Sequence, residues 1–285
     1  MLDYYLYRIG QFLALHIPLK WGYRIAVFCS DIRSLLTFRD RRYATENMRV
    51  IFPNKTEKEI RELQINMFRN FAKYLVDFFR FQEIDKKWIE KNVQLENTHY
   101  IDEAFKKGKG IVILTAHIGN WELGGITIAL LGYPFWVVAL PHKYKKVNSF
   151  FNAQRESKGV KVIPLAKAVR ESLAVFKKNE SVALVGDRDF TEDGAILPFF
   201  GKPTVFPEGP AAFSLRTGAP IVAGFMLRNK DDSFTLRMEP PIVVTPSGNR
   251  RNDTVEIMKT YLKIFERYIT EYPDQWFMFR RFWKE

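Results

Sequence analysis

The spacing of apolar positions changes near residue 93 of this 285-residue chain. Before it, apolar side chains recur at three- and four-residue steps, the period of one face of a helix. Leu2, Tyr5, Leu6, Ile9, Phe12, Leu13 and His16 make the first stripe, with Arg8 and Gln11 off it. Pro18 and Gly22 interrupt the pattern, 21–38 is apolar with scattered charge, and Arg39, Arg41 and Arg42 precede 43–52. Thr56-Glu57-Lys58-Glu59 has the spacing of a capping box and predicts a helix running to about Phe81. Its apolar rows are Ile60, Leu63, Met67, Phe71, Leu75 and Phe79. Residues 1–92 are therefore expected to be helical throughout.

Beyond residue 93 short apolar runs alternate with helical stretches. Runs at 110–116, 133–140, 160–164, 181–186 and 220–227 read as buried strands, with helices at about 121–131, 145–158, 166–178 and 208–217. A strand pair around 234–244, a turn at Pro246-Ser247-Gly248-Asn249 and a helix from about Thr254 to Tyr272 close the chain. The pattern predicts an α/β fold: a mainly parallel sheet covered by helices, with an N-terminal helical layer. The division falls at 1–92 and 93–285, without a flexible linker, and the two parts are expected to form one continuous unit.

Composition narrows the chemistry only in part. Lys+Arg number 44 against 32 Asp+Glu, a formal charge of +12, and aromatics make up 15% of the chain. That combination suits an anionic membrane surface, a phosphorylated substrate or nucleic acid. The single cysteine, Cys29, excludes a disulfide framework and a cysteine-rich zinc site, and it suits a reducing compartment. No uninterrupted run of 18 apolar residues marks a transmembrane helix, and the N-terminus lacks the layout of a secretory signal. The first helical stripe stays open to two readings: a core-facing helix, or a helix lying among lipid headgroups with Tyr4, Tyr5 and Tyr7 at the interface.

Phosphate loops, dinucleotide fingerprints, zinc-protease helices and nucleophile elbows are all missing from the sequence. Four histidines leave few places for imidazole chemistry, and one of them is well placed. The strand Gly110-Ile111-Val112-Ile113-Leu114-Thr115 runs into Ala116-His117-Ile118-Gly119-Asn120-Trp121-Glu122. His117 thus falls at the carboxyl end of a strand, where open α/β sheets gather their ligands. Five steps separate His117 from Glu122, so the two meet only if the chain turns, and Gly119-Asn120 supplies the turn. A carboxylate accepting one imidazole N–H would leave the other nitrogen free to take a proton from a hydroxyl. The plainer alternative is a structural histidine beside a capping Asn120 and a surface Glu122.

The segment from Gly110 to Gly125, with its His-x4-Glu spacing, resembles the H-x4-D/E motif of the glycerolipid acyltransferase superfamily. Its form, His117-Ile118-Gly119-Asn120-Trp121-Glu122, is similar to that of the late acyltransferases of lipid A biosynthesis and of their relatives that acylate mannosylated phosphoinositides. Three further blocks resemble the family in the same order. They are Gln154-Arg155-Glu156-Ser157 with Gly159 to Pro164; Gly186-Asp187-Arg188-Asp189 with Pro198-Phe199-Phe200-Gly201 and Gly218 to Ile221; and Pro273-Asp274-Gln275-Trp276 with Arg280-Arg281-Phe282.

The resemblance implies an O-acyltransferase that moves a fatty acyl group from acyl carrier protein or coenzyme A to a hydroxyl of a glycolipid or phospholipid. It implies no cofactor and no metal. His117 would be the general base and Glu122 its orienting carboxylate, at a position where the superfamily more often has Asp. Arg155 would bind the thioester or a substrate phosphate, as a forked guanidinium can; a solvated helix residue paired with Glu156 or Glu171 is the other reading. Asp187 and Arg188 would border the substrate pocket or form a structural pair. Asn120 would cap the following helix or donate to the oxyanion, and capping is favoured. The expected partners are membrane lipid and the thioester carrier, not nucleic acid, at the cytoplasmic face of the bacterial inner membrane.

Basic runs at Lys106, Lys107 and Lys109, at His142, Lys143, Lys145 and Lys146, and at Arg280, Arg281 and Lys284 would then face anionic headgroups or an acidic carrier. A basic nucleic-acid-binding protein and a hydrolase using the same His/Glu pair on water are the competing readings.

Overall fold

In the computed structural model, residues 2–190, 193–243 and 246–283 are described. Val244, at the end of the expected strand pair, and Lys284 lie outside them. The N-terminal part is helical: α1 (Leu2–His16), α2 (Leu19–Leu36), α3 (Phe38–Ile51), α4 (Glu57–Phe79) and α5 (Lys86–Asn92). The capping box forms, with the Thr56 hydroxyl accepting from the Glu59 amide and the Glu59 carboxylate accepting from the Thr56 amide at 2.8 Å. Pro18 ends the first helix and starts the second.

Strands and helices then alternate. They are β1 (Val93–Glu96), α6 (His99–Phe105), β2 (Ile111–Thr115), α7 (Trp121–Leu130), β3 (Phe135–Ala139), α8 (Lys145–Glu156), β4 (Lys161–Pro164), α9 (Ala168–Phe176) and β5 (Ser181–Val185). The chain continues with β6 (Ala195–Phe199), β7 (Lys202–Phe206), α10 (Gly209–Thr217), β8 (Ile221–Arg228), β9 (Phe234–Met238) and α11 (Arg250–Glu271).

Seven strands form one sheet in the order β1-β9-β8-β2-β5-β3-β4. All neighbours run parallel except β8 and β9. The α/β class and the N-terminal helical layer expected from the sequence are what the structure has. The hairpin of β6 and β7 and the edge strand β1 were not foreseen: all three are short, and the hairpin exposes Ile196, Pro198 and Val205, so no apolar–polar alternation marks it.

Alternate residues of the central strand feed two cores. Val112 and Leu114 pack with α11 and the C-terminal segment, while Ile111 and Ile113 pack with α6 and α7. The helix α4 contributes to both, which fastens the N-terminal layer to the sheet. Asp77 at its C-terminal end accepts from Tyr23 of α2 at 2.5 Å, from Asn120 at 3.0 Å and from Arg228 of β8. This buried carboxylate joins four segments, and each of its partners donates a hydrogen bond, as burial of a charge requires.

Candidate active site

The centre of the sheet places two polar side chains beside each other. Strands β2 and β5 are parallel with Thr115 opposite Val185, so two residues further on His117 stands opposite Asp187. His117 Nδ1–H donates to Asp187 Oδ1 at 2.6 Å, and the His117 backbone N–H donates to Oδ2 at 3.1 Å. The Trp276 indole N–H also donates to Oδ2, at 3.0 Å. Asp187 is fully buried, and a carboxylate accepts only, so these bonds fix the imidazole tautomer with its proton on Nδ1. Nε2 is left without a proton on a side chain that remains 17% exposed.

Burial depresses the basicity of His117 below the ordinary imidazole value; Asp187 pushes the other way, while Arg188 and Arg280 add to the depression. Burial alone would raise the Asp187 carboxyl. The charge and hydrogen bond of His117, the charge of Arg188 and the Trp276 N–H outweigh it and hold that carboxyl well below its usual range. The pair is thus a neutral imidazole oriented by an ionised carboxylate, an arrangement that can take a proton at Nε2.

The Glu122 carboxylate bonds Arg155, and no hydrogen bond joins it to His117 among the described residues. The expected turn is present: Gly119 has φ of +61°, and a Cβ there would come within 2.0 Å of the Met226 carbonyl oxygen. Its N–H donates to Gln275 O and that of Asn120 donates to Met226 O, so the turn is pinned against β8 and the C-terminal segment. The turn carries Glu122 into the first turn of α7, facing α8, where Arg155 meets it through two parallel bonds of 2.8 and 2.5 Å. Arg155 also donates to Asn152, so its guanidinium is committed within the protein. The two side chains are only 10% and 11% exposed, and the charge of Glu122 offsets the burial that would weaken Arg155, holding the guanidinium firmly protonated.

Asn120 caps α7 by accepting from the Leu123 amide at 3.0 Å, and its amide group donates to Asp77. Both ends of this side chain are occupied. Arg188 donates from Nη2 to the Phe277 carbonyl at 2.5 Å, and the Phe277 amide donates to the His117 carbonyl at 2.9 Å. The sequence reading therefore places His117 at the carboxyl edge of the sheet but does not find Asp187, the carboxylate that it bonds. The signal available was the parallel register of the two strands, which puts His117 and Asp187 level. Trp276 was legible only as part of a C-terminal block, since a contact across 89 positions leaves no local pattern.

Between α7 and one face of the sheet lies an apolar slot. Ile113, Ala183, Phe135 and Met226 from four neighbouring strands form its floor, with Gly124, Gly125 and Ile128 of α7 above them. Thr115, Trp121, Glu122 and Arg155 also line it. The Trp121 ring stands edge-on to the His117 imidazole at 4.9 Å between centroids, so the slot borders the proton-accepting site. Among the described residues no three His, Cys, Asp or Glu side chains converge as metal ligands would.

A parallel α/β sheet with a buried carboxylate–imidazole pair at the carboxyl ends of adjacent strands defines a candidate acid–base enzyme. The bacterial lipid A biosynthesis acyltransferase family model matches residues 1–285. The chain therefore belongs to that family of acyltransferases, enzymes of lipid biosynthesis. It is 28% identical to the phosphatidylinositol mannoside acyltransferase of Mycolicibacterium smegmatis over 75% of this chain and 70% of that one. Its counterpart in Mycobacterium tuberculosis is 27% identical over 75% and 68% of the two chains. The lipid A biosynthesis acyltransferase of Haemophilus influenzae is 22% identical, over 91% of this chain and 86% of that one.

Proposed function

We propose that this protein transfers a fatty acyl group from a thioester, carried by acyl carrier protein or coenzyme A, to a hydroxyl of a glycolipid or phospholipid. The observation that carries the reading is the His117–Asp187 pair with a free Nε2 beside an apolar slot. The acceptor oxygen attacks the thioester carbonyl carbon as His117 Nε2 takes its proton. The tetrahedral oxyanion collapses, the carbon–sulfur bond breaks, and the thiolate recovers the proton from the imidazolium. Asp187 holds the imidazole and stabilises its charged form, while the slot shelters the start of the acyl chain. Glu122 acts one step back, locking α7 to α8 through Arg155 and so shaping the slot.

The acceptor is assigned to the lipids named for the relatives, a lipid A precursor or a phosphatidylinositol mannoside, at the cytoplasmic face of the bacterial inner membrane. No helix among the described residues is long and apolar enough to cross a membrane. Peripheral attachment is supported instead by the exposed apolar side chains Leu6, Ile9 and Phe12 of α1 and Phe28, Leu35 and Leu36 of α2. Exposed Lys146 adjoins α1, its ammonium lying 5.7 Å from the centre of the Tyr4 ring, and the exposed Lys143 and Lys145 stand beside it in the chain. Apolar and cationic groups side by side match an anionic bilayer, at about 1 kcal/mol per charge near the surface, better than nucleic acid.

The test is incubation with an acyl thioester, with and without acceptor lipid, following thiol release and acylated lipid separately. Acylated lipid in proportion to thiol supports transfer. Thiol release that ignores the acceptor means hydrolysis and overturns the reading.

A further inference from the structure

Arg188 and Arg280, the two guanidinium groups whose charges act on His117, make no ion-pair contact with a carboxylate among the described residues, although the charge of Asp187 attracts Arg188. Arg188 spends one N–H on the Phe277 carbonyl, yet its Nε is buried and bonds nothing. Leaving a buried donor unpaired costs stability, so such an atom needs an explanation. Arg280 is exposed, lies over the Phe190 ring at 5.5 Å, and is near enough to weaken both Arg188 and His117 as bases. Elsewhere this chain pairs its buried arginines: Arg155 with Glu122, and Arg228 with Asp77. Arg41 Nε in α3 is likewise buried and unpaired, but among the described residues Arg188 is the one such guanidinium whose charge acts on His117.

We infer that Arg188 and Arg280 form an anion subsite beside His117 that takes a phosphate group of the reacting substrate. The inference rests on the acyltransferase reading only for what carries the phosphate. Two guanidiniums offer a fork of donors to the several oxygens of one phosphate, and a dianion would neutralise both charges. A carboxylate carries only one negative charge and would leave the second guanidinium uncompensated. Filling the subsite would remove two positive charges that weaken His117 as a base, so the imidazole would gain basicity when substrate is in place. Two sources of the phosphate fit: the arm of the thioester carrier, and the headgroup of the acceptor lipid.

Full-length protein labelled with 15N-histidine tests the site without turnover, His117 being assigned from its missing signal in His117→Gln. Millimolar inorganic phosphate, against chloride at equal ionic strength, should raise the His117 titration midpoint by about half a unit. Arg280→Gln, at an exposed position that spares the fold, should abolish that response, and Arg280→Lys should restore part of it. A midpoint indifferent to phosphate, or one that moves equally in Arg280→Gln, overturns the subsite.

Kinetics then separate the sources. If the donor carries the phosphate, Arg280→Gln raises KM about tenfold for a coenzyme A thioester, a 1.4 kcal/mol effect, but not for the acyl-pantetheine lacking phosphate. If the acceptor does, the same contrast appears between a phosphorylated lipid and its phosphate-free analogue. No contrast with either substrate contradicts the inference. A phosphate response in a protein that transfers no acyl group would overturn the acyltransferase reading and leave the subsite standing.

Discussion

Asp187 holds His117 at two points, its Oδ1 accepting from the imidazole Nδ1–H at 2.6 Å and its Oδ2 from the backbone N–H at 3.1 Å. One carboxylate thus sets both the ring and the strand end that carries it. The imidazole cannot turn over without losing a buried, charge-assisted bond, which is the preorganisation a general base needs.

The pH dependence follows from the depressed basicity of His117. The rising limb of kcat/KM should have its midpoint below the ordinary imidazole value of about 6.5, and the enzyme should keep activity in mildly acidic buffer. Stability carries the same sign. An unfolded chain protonates this histidine from about pH 6.5 downward, whereas the folded chain refuses the proton until the pH is lower. Stability from this group is therefore present above that pH and is lost as pH falls toward the folded value. Rate profiles and denaturant titrations across that range check both.

Glu122 and Arg155 should behave as a structural pair. Glu122→Gln leaves a buried guanidinium without its counter-charge and should cost about 3–5 kcal/mol of stability, read by denaturant unfolding. Removing both charges together should cost less than the sum of the single changes. Wild-type stability in Glu122→Gln with turnover abolished would instead point to an orienting role.

Much of the fold was legible because its periods are long and clean. The stripe Ile60, Leu63, Met67, Phe71 and the box Thr56–Glu59 announce α4, and the apolar run before His117 announces β2. The candidate site was less legible for a physical reason. Spacing along the chain favours a partner five residues away, but the sheet brings together residues 70 positions apart, His117 with Asp187. The turn at Gly119 was foreseen, yet the direction in which it sends Glu122 depends on Arg155 in another helix.

Acyl-chain selection should follow the dimensions of the slot. A Cβ on Gly125 would meet the Phe135 ring at 3.0 Å across the cavity. Gly125→Ala should crowd that floor and shift preference toward shorter acyl thioesters, seen as a ratio of kcat/KM values across a chain-length series. An unchanged ratio would place the acyl chain elsewhere.

Membrane attachment should depend on the exposed face of α1 and α2. Phe12 and Phe28 are 59% and 66% exposed, so Phe12→Asp and Phe28→Asp should fold normally. Each forfeits burial worth about 1.5–3 kcal/mol and should weaken binding to anionic vesicles roughly tenfold or more. Sedimentation with vesicles of varied anionic content and salt measures this. Binding that ignores both substitutions would remove these helices from the interface.

The most direct measurement is kcat for acyl transfer in Asp187→Asn beside wild type, with its pH profile and a spectroscopic check of folding. The structure predicts a folded protein whose turnover falls by about 10³-fold or more, because the amide presents the wrong groups to Nδ1, and whose pH limb moves. Transfer at the wild-type rate with an unmoved limb would contradict the assignment of Asp187 as the residue that positions His117.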